Sequence, residues 1–309
     1  MDLRQLKYFV TVARERNFTR AAEHLHIAQP PLSRQIQQME EELGVQLLVR
    51  SSRPIRLTDA GRLFYEEAQQ ILGRVEQMKD AARRVGHGER RVLNIGFVAS
   101  TWYGGLPTVI RRLRQALPDT EIRMVEMMSL QQAEGLKSGR IDIGFGRIRT
   151  ADTSVERLVL REERLVVAIP PAFALAAEDT PLAPAALKGQ TLIVYPSAPR
   201  PSFADQVLSL LRDHGVRPAE VQEVRELQTA MGLVAAETGV CMIPAAARFL
   251  RADLHYRLVD DEHATSPIIM SYRHNEDEAL INLLKQLVRE MYAEKPAWLD
   301  TSYNRLHVP

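Results

Sequence analysis

Cys241 is the only cysteine in 309 residues. No internal disulfide and no cysteine-based metal site can therefore form, and a buried structural thiol is its expected role. No apolar run is long enough to span a bilayer, and the opening MDLRQLKYF passes straight into a charged amphipathic pattern rather than a secretory leader, so a cytoplasmic protein is expected. Catalytic signatures are missing too. None of the eight histidines forms an HExxH pair, no GxSxG elbow occurs, and GFGRIR lacks the third glycine of a dinucleotide fingerprint, so neither an enzyme nor a cofactor is expected. With 45% hydrophobic and 26% charged residues, the chain is long enough for two or three domains with ample core.

What is present is concentrated first in residues 19 to 34, TRAAEHLHIAQPPLSR. Thr19 is read as the N-cap of a short helix whose apolar face is Ala21, Ala22 and Leu25, and His26, Ile27 and Ala28 form a turn. Pro30 and Pro31 suit the first turn of a second helix, where a missing N–H does no harm. Leu32, Ile36, Met39 and Leu43 put one stripe of that helix on a core. Gln29, Ser33, Arg34 and Gln37 fall on the other side, with donors, acceptors and a guanidinium suited to base edges and phosphates. A solvated surface face is the plain alternative. Upstream, Leu6, Phe9, Val10 and Ala13 make another helix. Downstream, residues 47–57 read as two short strands joined through SSRP and carrying Arg50, Arg53 and Arg56, with Arg53 at the tip of a wing that could enter a minor groove.

The overall charge of +1 hides an asymmetry, because residues 1–91 carry 16 Lys plus Arg against 12 Asp plus Glu. That surplus is modest for double-stranded DNA. An oligomer would multiply the phosphate contacts.

The stretch from LRQLKYFVTVARERNFTRAAEHLHIAQPPLSR to LTDAG resembles the LysR-type transcriptional regulators across nearly all of the first 61 residues. Beyond it, Thr58 and Asp59 offer helix caps. Phe64, Ala68, Ile71, Val75, Met78, Ala82 and Val85 then alternate steps of four and three, a heptad seam that favours a dimerising linker helix over an ordinary amphipathic one. Gly86, His87 and Gly88 end it. The expected domains are a winged helix-turn-helix at 1–58, the linker helix at 59–88 and an effector domain at 89–309.

From Val92, short apolar strands alternate with helices. VLNIGFV, EIRMVEM and IDIGFG form one block, and RLVVAIP, LIVYP, VQEVREL and VCMIPAA form another, before SPIIMSY returns to strand and 276–292 to helix. The fold class expected is thus an α/β effector domain of two lobes behind an α-helical DNA-binding module and a long helix. Lobe I takes about 92–161 and 266–293, lobe II about 162–265, and crossing strands lie near 162 and 266. The resemblance to LysR-type effector domains implies the fold of periplasmic solute-binding proteins.

A small molecule is expected between the lobes, beyond the carboxyl ends of the strands. Ser100 and Thr101 follow the first strand, Ser129 follows the second, and YPSAPRPSF at 195–203 opens another helix; each serine could equally be a simple cap. IGFVASTWYGGLP, SLQQAEGLKSGRIDIGFGR, YPSAPRPSF and ELQTAMGLVAAETGVCMIPAA resemble the branch of LysR-type activators that sense cis,cis-muconate and control catechol and benzoate catabolism. That resemblance implies carboxylate contacts at Ser100, Ser129, Pro201, Ser202 and Phe203, and Thr101 joins them as a candidate from its place after the first strand. It departs at Ser129, often threonine in the branch, and at Ser202, where asparagine can stand. It also implies a second acid site, for a ligand such as benzoate, at Arg147, Arg161, Glu163 and Tyr292, for which an interlobe salt bridge is the alternative. Homodimers or homotetramers holding two DNA sites, and contact with RNA polymerase, are implied by the same likeness. A LysR-type regulator of another pathway with a different effector, a ligand-independent repressor, a bare DNA-architectural protein and an α/β enzyme acting on a small acid are the competing readings. The tail after Ala293, with Trp298, shows no periodicity.

On DNA, Arg34→Ala is expected to weaken operator binding by about 1–3 kcal/mol and to relax base preference if Arg34 makes a bidentate base contact. Binding measured against a panel of single-base operator variants checks this; uniform weakening on every sequence would make Arg34 a phosphate contact instead.

Overall fold

In a computed structural model, residues 1–86, 90–149, 154–198 and 200–307 are described. The chain divides into two compact units, Met1–Arg91 with Lys137–Arg140, and Val92–Leu136 with Ile141–Pro309.

In the first unit, α1 (Leu3–Glu15) starts on a capping box. Asp2 accepts from the Gln5 N–H at 2.8 Å, and the Gln5 side chain accepts from the Asp2 N–H at 3.0 Å. α2 (Phe18–His24) is capped by Asn17, whose Oδ1 accepts from the N–H groups of Thr19 (2.8 Å) and Arg20 (3.2 Å). The cap expected at Thr19 is therefore corrected to Asn17. Asn17 sits in extended backbone one residue before the helix, the geometry an N-cap requires, whereas Thr19 is already helical. α3 (Gln29–Leu43) holds its two prolines in the first turn and ends at Gly44, whose φ of 69° is the left-handed conformation that favours glycine. β1 (Leu48–Val49) and β2 (Arg56–Leu57) pair antiparallel, with Leu48 opposite Leu57, as a short hairpin. Phe9, Ala21, Leu32, Ile36, Met39, Leu47 and Leu48 close the core.

α4 (Asp59–Gly86) is capped by Thr58, whose Oγ1 accepts from Gly61 N–H at 2.9 Å. The expected seam divides along its length. Phe64 meets Phe9 edge-on at 5.1 Å and Ala68 is buried, so both belong to the core of this unit. Ile71 and Met78 are 43% and 63% exposed. The seam position Val85 has no described side chain, and His87 and Gly88, expected to end the helix, lie outside the described residues.

Among the described residues, the second unit is built on one sheet of ten strands. Lobe I contains β3 (Arg91–Phe97), α5 (Leu106–Ala116), β4 (Thr120–Glu126), α6 (Ser129–Lys137) and β5 (Ile143–Gly146), with β3 and β5 parallel. β6 (Val155–Ile169) then runs from lobe I into lobe II. Lobe II continues as β7 (Thr191–Val194), α7 (Phe203–Asp213), β8 (Glu220–Glu223), α8 (Leu227–Ala235), β9 (Val240–Pro244) and β10 (His255–Leu258), with β7 parallel to both β8 and β9. β11 (Thr265–Arg273) returns to lobe I between β5 and β6, and α9 (Glu278–Ala293) buries Leu284, Val288 and Met291 in the lobe I core. β12 (Asn304–Leu306) pairs with β6 at Glu163, Glu162 and Arg161, so the tail is structured, and Trp298 packs against the lobe I core.

A bulge on a crossing strand places two side chains near the lobe junction. Ile268 pairs with Arg161 but Ile269 pairs with Val159, so Leu160 is an extra residue on β6. Its carbonyl, bulged out of the β11 ladder, accepts from Tyr292 Oη at 3.3 Å and from His307 N–H at 3.1 Å. Cys241, in the middle of the lobe II core, is buried, and burial pushes its thiol well up, consistent with a structural thiol.

Candidate functional site

In the first unit, the polar face of α3 is open. Gln29, Pro30, Pro31, Arg34 and Gln37 are exposed and Ser33 is half-buried; Arg53 is exposed on the hairpin, and Thr19 is exposed on α2. Arg34 and Arg53 make no ion pair among the described residues, which leaves both charges available to a polyanion. Arg50 does not: it turns back to Glu40, Nη2 to Oε2 at 2.6 Å.

In the second unit, the lobes enclose a cavity of about 530 Å³ at the ends of β3, β4 and β7. Ser100, Ser129, Arg147 and the segment Pro201–Phe203 all line it. Hydrogen bonding separates its hydroxyls into two kinds. Ser100 Oγ accepts from Arg147 Nε at 2.8 Å, and Ser129 Oγ accepts from the N–H groups of Arg147 (3.0 Å) and Ile148 (3.3 Å). Each of these serines accepts at its oxygen and donates its proton to no described residue. Ser202, by contrast, donates its proton to the Pro196 carbonyl at 2.9 Å, and its N–H is taken by Asp205 at 2.7 Å, so it shapes the loop. Thr101 is corrected outright. It is buried, donates to the Val98 carbonyl at 2.7 Å, and lines a different space, because the 3-10 turn Ala99–Tyr103 rotates it away from Ser100.

Three of the four residues of the expected second acid site form a buried charge cluster, with Tyr292 neutral beside it. Glu163 Oε2 lies 2.9 Å from Arg147 Nη2 and 3.4 Å from Arg161 Nη2, and its Oε1 accepts from the Ala246 N–H of lobe II. Arg147 also reaches Ser266 Oγ (3.4 Å) and the Ser100 carbonyl (3.0 Å). Arg161 lies 4.6 Å over the Trp298 ring, its Nε without a hydrogen-bond partner. A side chain at Gly104 would come within 2.5 Å of Arg161 Nη2, so it would have to displace the guanidinium. Tyr292 and Arg161 share with Thr101 an apolar space of about 20 Å³, room for roughly one water. Burial pushes the Tyr292 phenol up to about 12, so it stays protonated and acts as a donor.

Family membership decides what this cavity belongs to. Residues 86–293 match the LysR substrate binding domain, and residues 3–62 match the bacterial regulatory helix-turn-helix protein, lysR family. The chain belongs to the LysR family of transcriptional regulators. It is 64% identical over 97% of its length, and 99% of the relative's, to the "Probable cat1 operon transcriptional activator" of Acinetobacter lwoffii. Among solved structures, full-length BenM is 42% identical, with a TM-score of 0.63 over 96% of this chain and 98% of that one. The "BenM effector binding domain with its effector benzoate" is 37% identical, with a TM-score of 0.63 over 69% of this chain and 99% of that one. The expected fold class, a helix-turn-helix followed by an α/β LysR substrate domain, stands. So does the expectation that a LysR regulator is not an enzyme, which removes the reading as an enzyme acting on a small acid.

Sequence reasoning missed the rim of the interlobe cavity. Tyr103 of lobe I packs against the lobe II core and accepts at its Oη from Gln228 Nε2 of lobe II at 2.8 Å. Arg225 and Glu226 stand beside it, and Glu126 faces from lobe I. Burial first, then the two carboxylates, raise the Tyr103 phenol above its ordinary value. No periodic signal marks these residues; they meet only because the lobes close.

Glu163 generates a test with a definite sign. Burial pushes its carboxyl up, but Arg147, Arg161 and the Ala246 N–H together outweigh that and hold it below the ordinary 4.5. A carboxyl held lower in the folded chain stabilises the fold above its unfolded value, and that contribution is lost as pH falls through the folded value. Glu163→Gln should therefore cost about 3–5 kcal/mol at pH 7, because it strands two buried guanidiniums. It should also lack the part of the acid-induced loss that begins below about 4.5 in the unaltered protein. Denaturant unfolding from pH 7 to pH 3 measures both, and an unchanged midpoint at pH 7 would contradict the pairing.

Proposed function

We propose that this LysR regulator activates genes of aromatic-compound degradation and is switched by a small dicarboxylate, cis,cis-muconate, held between the lobes. The observation that carries the reading is the buried charge at the cavity wall. Arg147 and Arg161 share a single carboxylate, Glu163, so the triad is left with one net positive charge, with Arg147 facing the cavity. An uncompensated buried charge is costly, and an entering carboxylate lowers that cost. Ser100 and Ser129 flank Arg147 with protons to give, and Ser129 opens α6, whose N-terminal end adds a favourable partial charge. Phe203 and Pro201 supply an apolar wall for the carbon chain between two acids. The relatives' names point toward the same catabolism, the A. lwoffii protein as a probable cat1 operon activator and BenM as a protein whose effector is benzoate.

On this reading Gln29, Pro30, Pro31, Ser33, Arg34, Gln37, Arg53 and Thr19 face operator DNA in the cytoplasm. Exposed apolar positions on α4 pair two copies, dimers join as tetramers that hold two DNA sites, and the ligand selects one lobe closure and with it one DNA bend that RNA polymerase reads. A regulator of a different pathway would keep the DNA-binding surface and take another acid. The second acid site has a narrower basis. Arg161 Nε is unpartnered beside an apolar space, but that space holds about one water, so Leu160, Met291 or Val288 must move before an aromatic acid enters.

Calorimetric titration with cis,cis-muconate is expected to saturate, and Ser100→Ala and Ser129→Ala should each weaken binding by about 1.5–3 kcal/mol, roughly 10- to 150-fold. Binding unchanged in the double variant, or none by the native protein, would return the effector to another acid. If benzoate strengthens the response, Arg161→His should abolish that gain and spare muconate; an unchanged gain would discard the second site.

A further inference from the structure

We propose that Glu40 and Arg50 act together as a positioning pair that sets the wing against the recognition helix, and that Arg50 is therefore not a phosphate contact despite its place on an arginine-rich hairpin. The inference rests on the operator-binding reading above. Glu40 lies on α3, three residues before its end, and it alone of the run Glu40, Glu41, Glu42 is buried. Its Oε1 accepts from the N–H groups of Leu47 (2.7 Å) and Leu48 (3.0 Å), the start of the first wing strand, and its Oε2 accepts from Arg50 Nη2 at 2.6 Å.

Three donors at the wing's first strand thus converge on one carboxylate of the recognition helix. From there Arg50 reaches two further elements. Its Nη1 is 3.4 Å from Ser33 Oγ on the DNA-facing side of α3, and its guanidinium carbon lies 5.6 Å from the centre of the Phe18 ring on α2. One side chain ties the wing it grows from to the recognition helix and to the helix before it. Arg53 and Arg56, on the same hairpin, are exposed and have no such ties among the described residues.

A phosphate contact and a positioning contact leave different signatures. Each lost phosphate contact lowers the slope of log affinity against log salt by about 0.9, equally on all sequences. Loss of positioning leaves that slope alone and lowers the ratio of operator to non-operator affinity, since base contacts need the helix and wing held in one register.

The experiment uses the full chain, with an operator duplex selected by the unaltered protein from a randomised library and a scrambled duplex of the same length. Arg50→Gln is expected to cut the operator-to-scrambled ratio at least tenfold with an unchanged salt slope, while Arg53→Gln lowers the slope and leaves the ratio within about twofold. Glu40→Gln should match Arg50→Gln, and the double variant should lose no more than the worse single one, where independent roles would multiply. If Glu40→Gln fails to fold, Arg50→Gln still decides. A lower slope with an intact ratio in Arg50→Gln would make Arg50 a phosphate contact and overturn the proposal. Failure of the unaltered protein to select any sequence would instead overturn operator recognition itself, and this assignment with it.

Discussion

The carboxylate of Glu163 holds the effector unit at the point where its lobes are joined. It sits on β6, the strand that runs through both lobes, and is fully buried. One oxygen takes the Ala246 N–H of lobe II; the other faces two arginines whose remaining contacts, Ser100, Ser266 and Trp298, lie on lobe I or on its crossing strand. Desolvating three charges costs several kcal/mol each and is offset only if the geometry stays intact. Any movement of one lobe against the other must therefore preserve this cluster or rearrange it as a unit. That makes it a pivot in energetic terms, whatever ligand the cavity takes.

The two units present their positive charge in opposite ways. On α3 and the hairpin, Arg34 and Arg53 stand in solvent, where an isolated pair would be worth little, but a polyanion rewards many weak contacts at once by releasing its counterions. In the effector unit one excess positive charge is buried among serines. There the effective dielectric is low, and on the proposed reading one well-placed carboxylate is enough to matter. The first arrangement gives affinity that falls with salt, and the second gives selectivity by geometry.

Residue spacing alone reveals much of this fold. Amphipathic helices with a single apolar face, such as α3 and α9, declare themselves by their period, as do short apolar strands between them. β6 does so only in part, because its first half carries Arg157, Arg161, Glu162 and Glu163, and a charged strand reads as a loop unless its charges are known to pair. β10 and β12 escape notice as short strands with no apolar run. The positions of Ser100 and Ser129 can be read from strand-to-helix junctions, but whether a hydroxyl keeps its proton cannot. That depends on which carbonyl or guanidinium the fold brings up, and it is what separates these two serines from Thr101 and Ser202. Likewise helical spacing sets Glu41 opposite the apolar stripe of α3 but leaves Glu40 and Glu42 on its two flanks, and only the packed fold shows that Glu40 is the buried one.

The linker helix shows why a pattern can be read correctly and still mean two things. A seam of alternating threes and fours says only that one face is apolar, not what covers it. Near the start of α4 that face is covered within the chain, by Phe9 against Phe64. At Ile71 and Met78, along with Leu63 to one side, it is open. A helix of 28 residues, about 42 Å long, is too long for its first turns alone to hold it straight in water, since helices draw most of their stability from a packed apolar face. On the proposed reading, the apolar side chains left open along this helix are covered by a second copy. The same stripe thus serves folding at one end and, on the proposed reading, pairing at the other, with the change falling between Ala68 and Ile71, where the core of the DNA-binding module ends.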